Sequence, residues 1–155
     1  MPFLWDEKYR LGIPEIDRQH QTLLLLLNKA FDFYSHQMSA PPSEDLRQRA
    51  LQDLNKLREF ARAHFATEEE LMARFDYPQL TQHLHEHGKF LEMVAQVEAK
   101  TATAREFRAN EWIEVMLHWY DYHVQHEDRD MGVYLRDKAV SQVIVPPVVE
   151  YSGGR

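Results

Sequence analysis

The chain has no cysteine in its 155 residues. That removes disulfides, cysteine-ligated iron–sulfur clusters and thiolate zinc sites together, and it fits a reducing compartment. Glycine is scarce too, at five residues, which favours long helices over many tight turns. Basic residues are outnumbered: 18 Lys and Arg stand against 25 Asp and Glu, a net charge of −7. The clustered cations that phosphate binding needs are absent, so nucleic acid is not an expected partner. The longest apolar run, five leucines at 23–27, falls far short of the roughly 20 residues that cross a bilayer, so no membrane span is expected. Met1, Pro2, Phe3, Leu4 and Trp5 run straight into Asp6, Glu7 and Lys8, which is not the basic-then-apolar order of a targeting segment. The expected location is the cytoplasm.

What remains is a chain that is 44% hydrophobic and 28% charged, suited to one globular domain with one core. Its outlier is histidine, with nine residues. Helical periodicity is the dominant pattern. A first helix is expected from about 17, with Asp17 as its cap, to about 36. Its leucine run, apolar on every side, is expected to be enclosed by neighbours. Pro41 and Pro42 then break the chain. Ser43, followed by Glu44 and Asp45, opens a second helix that reaches about 74. A third is expected over 78–100, with Pro78 in its opening turn. Thr103 and Glu106 have the form of a capping box for a fourth, which carries Trp112, Met116, Trp119 and His123 and fades after Asp128. From Val140 the pattern is lost. Four long helices on short connections imply an all-α, antiparallel up-down-up-down four-helix bundle with an N-terminal arm and an irregular C-terminal tail.

The spacing of histidines and acids carries the chemistry. His64 and Glu68 are four apart on the second helix and project from one face, as do His83 and His87 on the third. His20 lies near the start of the first helix, and His123 and Asp128 toward the end of the fourth. In an up-down-up-down bundle those two starts and two ends share one end of the molecule, so all seven residues gather there. His123 and Asp128 are five apart, about 140° around an ideal α-helix; a π-type bulge is one way to bring them together.

Five imidazoles and two carboxylates without a thiolate exceed what one tetrahedral zinc would use. Imidazole suits iron, copper, nickel and zinc, and carboxylates can bridge two ions. Two six-coordinate irons offer about twelve positions, of which these ligands and a shared oxo or hydroxo bridge would fill about eleven. One place is left for a small molecule. Glu69 and Glu70 are expected to face solvent or neighbouring helices, His85 to be a surface residue, and His36 to serve a helix end. His118 and His126 are expected not to support the metal ligands.

The blocks Ile16-Asp17-Arg18-Gln19-His20, His64-Phe65-Ala66-Thr67-Glu68-Glu69, Tyr77-Pro78 leading to His83, His87 and Phe90, and Trp119 leading to His123 and Asp128 resemble the hemerythrin family signature, with the bacterial members most similar. The resemblance implies a hemerythrin-like di-iron domain over 1–139 with a tail at 140–155. It implies two iron ions (Fe2+/Fe3+) with an oxo or hydroxo bridge: His83, His87 and His123 on one, His20 and His64 on the other, and Glu68 and Asp128 bridging. Dioxygen would bind reversibly at the iron with the open place, in a lining for which Leu24, Phe60, Phe65, Trp119 and Val124 are candidates. The implied function is oxygen storage, delivery or scavenging, not enzymatic. An oxygen or redox sensor signalling to a partner, with the tail as a contact for a protein, is the alternative; a peroxidase or nitric-oxide-reducing enzyme is a third. Carboxylate-rich oxygenase bundles use Glu-x-x-His pairs, which are absent at these ligand positions.

Overall fold

The computed structural model describes residues 3–36, 43–103 and 109–141. The helices are α1 (Pro14–His36), α2 (Glu44–Arg74), α3 (Leu80–Thr103), α4 (Ala109–His123) and α5 (Arg129–Ser141). A π-helical turn over Val124–Asp128 joins the last two without a break in helical backbone. Among the described residues α1 packs on α2 and α4, and α3 on α2 and α4, so four rods form a ring. With α5 extending the fourth rod, this is the expected all-α four-helix bundle. No described helix is long and apolar enough to cross a membrane.

Local chemistry sets the boundaries. Ser43 caps α2 by accepting from the Leu46 N–H, and Glu44 and Asp45 follow in the first turn, as expected. The start of α1 differs from expectation. Pro14 occupies the first helical position, where its missing N–H costs nothing, and Asp17 lies inside the first turn. The Asp17 carboxylate instead accepts from the Leu11 and Gly12 N–H groups at 2.8 and 3.1 Å. It thereby folds back the arm at Gly12, whose φ of 81° suits a residue without a side chain. Helix α3 begins two residues later than expected and runs three further, to Thr103. The Thr103 hydroxyl donates back to the Ala99 carbonyl at 2.8 Å, so it ends α3 rather than capping the next helix; the rest of the expected capping box lies outside the described residues. The fourth rod does not fade at Asp128 but continues through Ser141, because Met131 and Leu135 are one turn apart and both buried. The part of the expected tail at 142–155 lies outside the described residues.

The buried faces repeat at three and four residues, for example His83, His87, Phe90, Val94, Val97 and Thr101 on α3. The leucine run is not enclosed on all sides. Leu23, Leu24 and Leu27 are buried, but Leu25 is 67% exposed, because a ring of four rods leaves an outer face on each. The core has two parts, a large one along the bundle and a small one at one end formed by Leu11, Ile16, Met72, Phe75, Tyr77, Met131 and Leu135. The ring of Phe90, fully buried, meets Phe65 and Trp119 with centroids 5.8 and 4.9 Å away. Phe90→Ala is expected to destabilise the fold by about 3–5 kcal/mol, measured by urea unfolding; a loss under about 1 kcal/mol would mean the large core repacks freely at this point.

Candidate metal centre

All seven expected ligands are buried, and the bundle brings them together between the two parts of the core. Their side chains sort into two groups. His83, His87 and His123 gather with Glu68 and Asp128, and His20 and His64 gather with the same two carboxylates. Glu68 Oε1 lies 3.2 Å from His20 Nε2 and 3.1 Å from His64 Nε2, while its Oε2 lies 3.1 Å from His87 Nε2. Asp128 divides in the same way: Oδ2 is 3.0 Å from His20 Nε2, and Oδ1 is 2.9 and 3.0 Å from His83 and His123 Nε2. Each carboxylate turns one oxygen to each histidine group, which is what a bridge between two ions requires.

The π turn makes this arrangement. Five residues fill about one of its turns, so His123 and Asp128 face the same way despite their spacing. The turn is held from outside by the N-terminal arm, where Arg129 donates to the Lys8 carbonyl and Tyr9 donates to Asp121 at 2.6 Å. The buried Tyr120 hydroxyl donates to the backbone carbonyl of His20 at 2.8 Å, tying the start of α1 to α4.

Several Nδ1 atoms on the far sides of the rings have partners of their own. His64 Nδ1 donates to Gln19 Oε1 at 2.8 Å and His87 Nδ1 to Glu69 Oε1 at 2.9 Å; His123 Nδ1 lies 2.5 Å from Glu127 Oε2, an ion-pair contact without an aligned hydrogen bond. An acceptor on Nδ1 fixes the tautomer and turns the Nε2 lone pair toward the centre. Phe65 stacks on His87 at 3.9 Å and Trp119 on His123 at 4.2 Å, which holds those rings in place.

The electrostatics are those of a site short of positive charge. Burial alone would push His20, His83 and His123 down, yet Asp128 and Glu68 outweigh it and raise them to about 9, 9 and 10. Burial alone would raise Glu68 and Asp128, with Glu68 pushing Asp128 up further. The surrounding imidazoles, His64 and His20 for Glu68 and His123 for Asp128, hold both carboxylates well below the usual range.

The donor set fits metal ions on structural grounds. Glu68 Oε2, both Asp128 oxygens and the Nε2 atoms of His83, His87 and His123 are buried without an aligned hydrogen bond. Buried polar atoms are rarely left so, and here all but Asp128 Oδ2 belong to the His83/His87/His123 group, with Asp128 Oδ2 turned to His20. Imidazole and carboxylate without thiolate suit iron. Residues 11–135 match the hemerythrin HHE cation binding domain. The chain belongs to the hemerythrin family. It is 26% identical over 129 residues to a bacteriohemerythrin of Clostridium acetobutylicum, covering 83% of this chain and 97% of that one. Over 126 residues it is 24% identical to a bacteriohemerythrin of Stenotrophomonas maltophilia, covering 81% and 76%. It is also 28% identical over 112 residues to a myohemerythrin of Riftia pachyptila, covering 72% and 82%. Hemerythrins are non-heme iron proteins that bind oxygen and are not enzymes.

Leu24, Phe65 and Val124 are buried and Phe60 and Trp119 are partly buried, all five within the large core. His85 is exposed, and His36 Nδ1 donates to the Asp32 carbonyl at 2.6 Å near the end of α1. His126 bonds the Tyr122 carbonyl and His118 meets the Phe3 ring, so neither supports a ligand. Glu69 does face a neighbouring helix, but there it orients His87, a role the sequence reading did not give it. Gln19, Glu127 and Tyr120 were missed as well. Only Glu127 left a signal, lying four residues after His123.

Proposed function

We propose that this chain binds dioxygen reversibly at two non-heme irons, as a cytoplasmic protein of oxygen storage, delivery or scavenging. His83, His87 and His123 would hold one ion and His20 and His64 the other, with Glu68 and Asp128 and an oxo or hydroxo group between them. The observation that carries the reading is the division of the two carboxylates between unequal histidine groups. Three imidazoles on one side and two on the other would leave the second ion one ligand short, and a small molecule would fit there. When bound in the ferrous state, the ions supply the electrons for reversible dioxygen binding.

The protein's own part is to keep that place dry and its ligands fixed. Leu24 lies one turn beyond His20 on the buried face of α1, and Trp119 one turn before His123 on α4. With Phe60, Phe65 and Val124 they form the proposed lining, which excludes the water and protons that convert the oxygenated protein to its oxidised form. Metal analysis should give two irons per chain. An anaerobic, reduced sample should develop a visible charge-transfer band on exposure to air and lose it under vacuum. A band that never reverses, or a single zinc in place of iron, would end this reading. Leu24→Asn, which places a polar group of similar size in the lining, should keep its iron but oxidise irreversibly roughly tenfold faster, the effect of about 1.4 kcal/mol on a barrier. An unchanged lifetime of the oxygenated form would remove Leu24 from the lining.

A further inference from the structure

The two histidine groups differ in the charge behind them as well as in number. Behind the group of three, His87 Nδ1 donates to the Glu69 carboxylate at 2.9 Å, and the Glu127 carboxylate lies 2.5 Å from His123 Nδ1 as a charge contact without an aligned hydrogen bond. Behind the group of two, the partner of His64 Nδ1 is the neutral amide of Gln19 at 2.8 Å. That amide has one orientation, because its Nε2 donates to Glu15 Oε1 at 3.0 Å and to Thr67 Oγ1 at 3.3 Å, leaving the oxygen for His64. His20 Nδ1 is buried with no hydrogen-bond partner.

An anion that accepts the Nδ1–H of an imidazole, as Glu69 does, makes the opposite nitrogen a stronger donor, and an anion lying against the ring, as Glu127 does, adds negative charge in the same direction; both favour the more highly charged metal ion. A neutral acceptor fixes the ring but adds little of that effect. We propose that Glu69 and Glu127 make the His83/His87/His123 position the one that stays ferric when a single electron enters the centre, and that the neutral Gln19 leaves the His20/His64 position to become ferrous first. This rests on the di-iron reading above. In the step itself, one electron from a chemical reductant converts one ferric ion to ferrous; no bond to the protein is made or broken, and each Nδ1 proton stays on its ring. The position short of a ligand is therefore also the more easily reduced one.

The test is a potentiometric titration of the iron-loaded protein with Mössbauer spectra of the 57Fe form, neither of which depends on oxygen binding. The unaltered chain should take up its two electrons at separate potentials and show one localised ferrous and one localised ferric ion at the midpoint. Glu69→Gln and Glu127→Gln keep an oxygen acceptor but remove the charge. Each should raise the second potential by roughly a tenfold change in reduction constant, about 59 mV, and move the first much less. The paired variant Glu15→Gln with Gln19→Glu carries the negative charge to His64 and should lower the first potential by a similar amount. All three narrow the gap. An unchanged gap in these variants with two irons bound would overturn the proposal. So would Glu69→Gln matching the unaltered chain while Glu69→Ala does not, since Glu69 would then only hold the ring. An iron count other than two in the unaltered chain would instead overturn the di-iron reading, and the proposal with it.

Discussion

A chain carrying Glu68→Ala is expected to purify with essentially no iron, whereas His64→Ala is expected to keep about one iron per chain. The difference follows from what each residue touches. Glu68 gives one oxygen to the His20/His64 group and the other to the His83/His87/His123 group, so its loss removes a donor and a negative charge from both places. His64 belongs to one group alone. Glu68 also balances the imidazolium charge that the site carries without metal. With Glu68 gone, raised histidines such as His20 and His83 face Asp128 alone, and breaking a buried pair in this way costs about 3–5 kcal/mol. Glu68→Ala should therefore lose metal and stability together. Glu68→Gln, which keeps the shape, should recover part of the stability but little of the iron. Metal analysis and urea unfolding of the three variants decide it, and two irons retained in Glu68→Ala would show that Glu68 is not a bridge.

Metal loading should strengthen steeply with pH, while the stability of chelator-stripped protein should move the other way. In stripped protein His20, His83 and His123 are raised to about 9, 9 and 10, against about 6.5 in an unfolded chain. Their contribution to folding is thus complete below roughly pH 6.5 and lost as pH climbs through 9 to 10. Glu68 and Asp128 are lowered, so theirs is complete above roughly pH 4.3 and lost on acidification. Stripped protein should be most stable between those limits. A metal ion must displace the histidine protons, and each proton displaced changes apparent affinity by about tenfold per pH unit below its pKa. With three such groups the slope of log affinity against pH should exceed one between pH 6.5 and 9, measured by competition with a chelator of known proton affinity. A flat profile would show that the imidazoles are already neutral in the stripped protein.

That the seven candidate residues would cluster was legible in the sequence because their residue types are distinctive and because topology, once four helices are granted, sends two starts and two ends to the same place. The spacing of His123 and Asp128 called for a distortion or an inward reach, of which a π turn was one form, since an α-helix would set them on different faces. The start of α1 was misread for a local reason: Asp17 has the chemistry of a cap, but Gly12 and Pro14 decide where the helix begins, and the carboxylate serves the arm instead. Helix α5 was faint because its buried face rests on Met131 and Leu135, which pack in a small cluster drawn from three separate stretches of chain. Glu69 is an ordinary glutamate on α2 until α3 is laid beside it and His87 comes within 2.9 Å. No spacing along one strand of text encodes a partner on another helix.

The placement of the seven clustered residues between the two parts of the core has a consequence for how the molecule comes apart. A stratum of charge lies across the bundle, with apolar packing above and below it. The smaller compartment is assembled from the arm, the beginning of α1, the end of α2 with the turn after it, and the first half of α5, none of which can bury an apolar face by itself. With ions in place, the stratum would rivet this end to the long bundle, so that the described helices would open as a single unit. With the ions withdrawn, the end can open on its own ahead of the rest, and its backbone amides would exchange with solvent while those of the leucine-lined half stay closed.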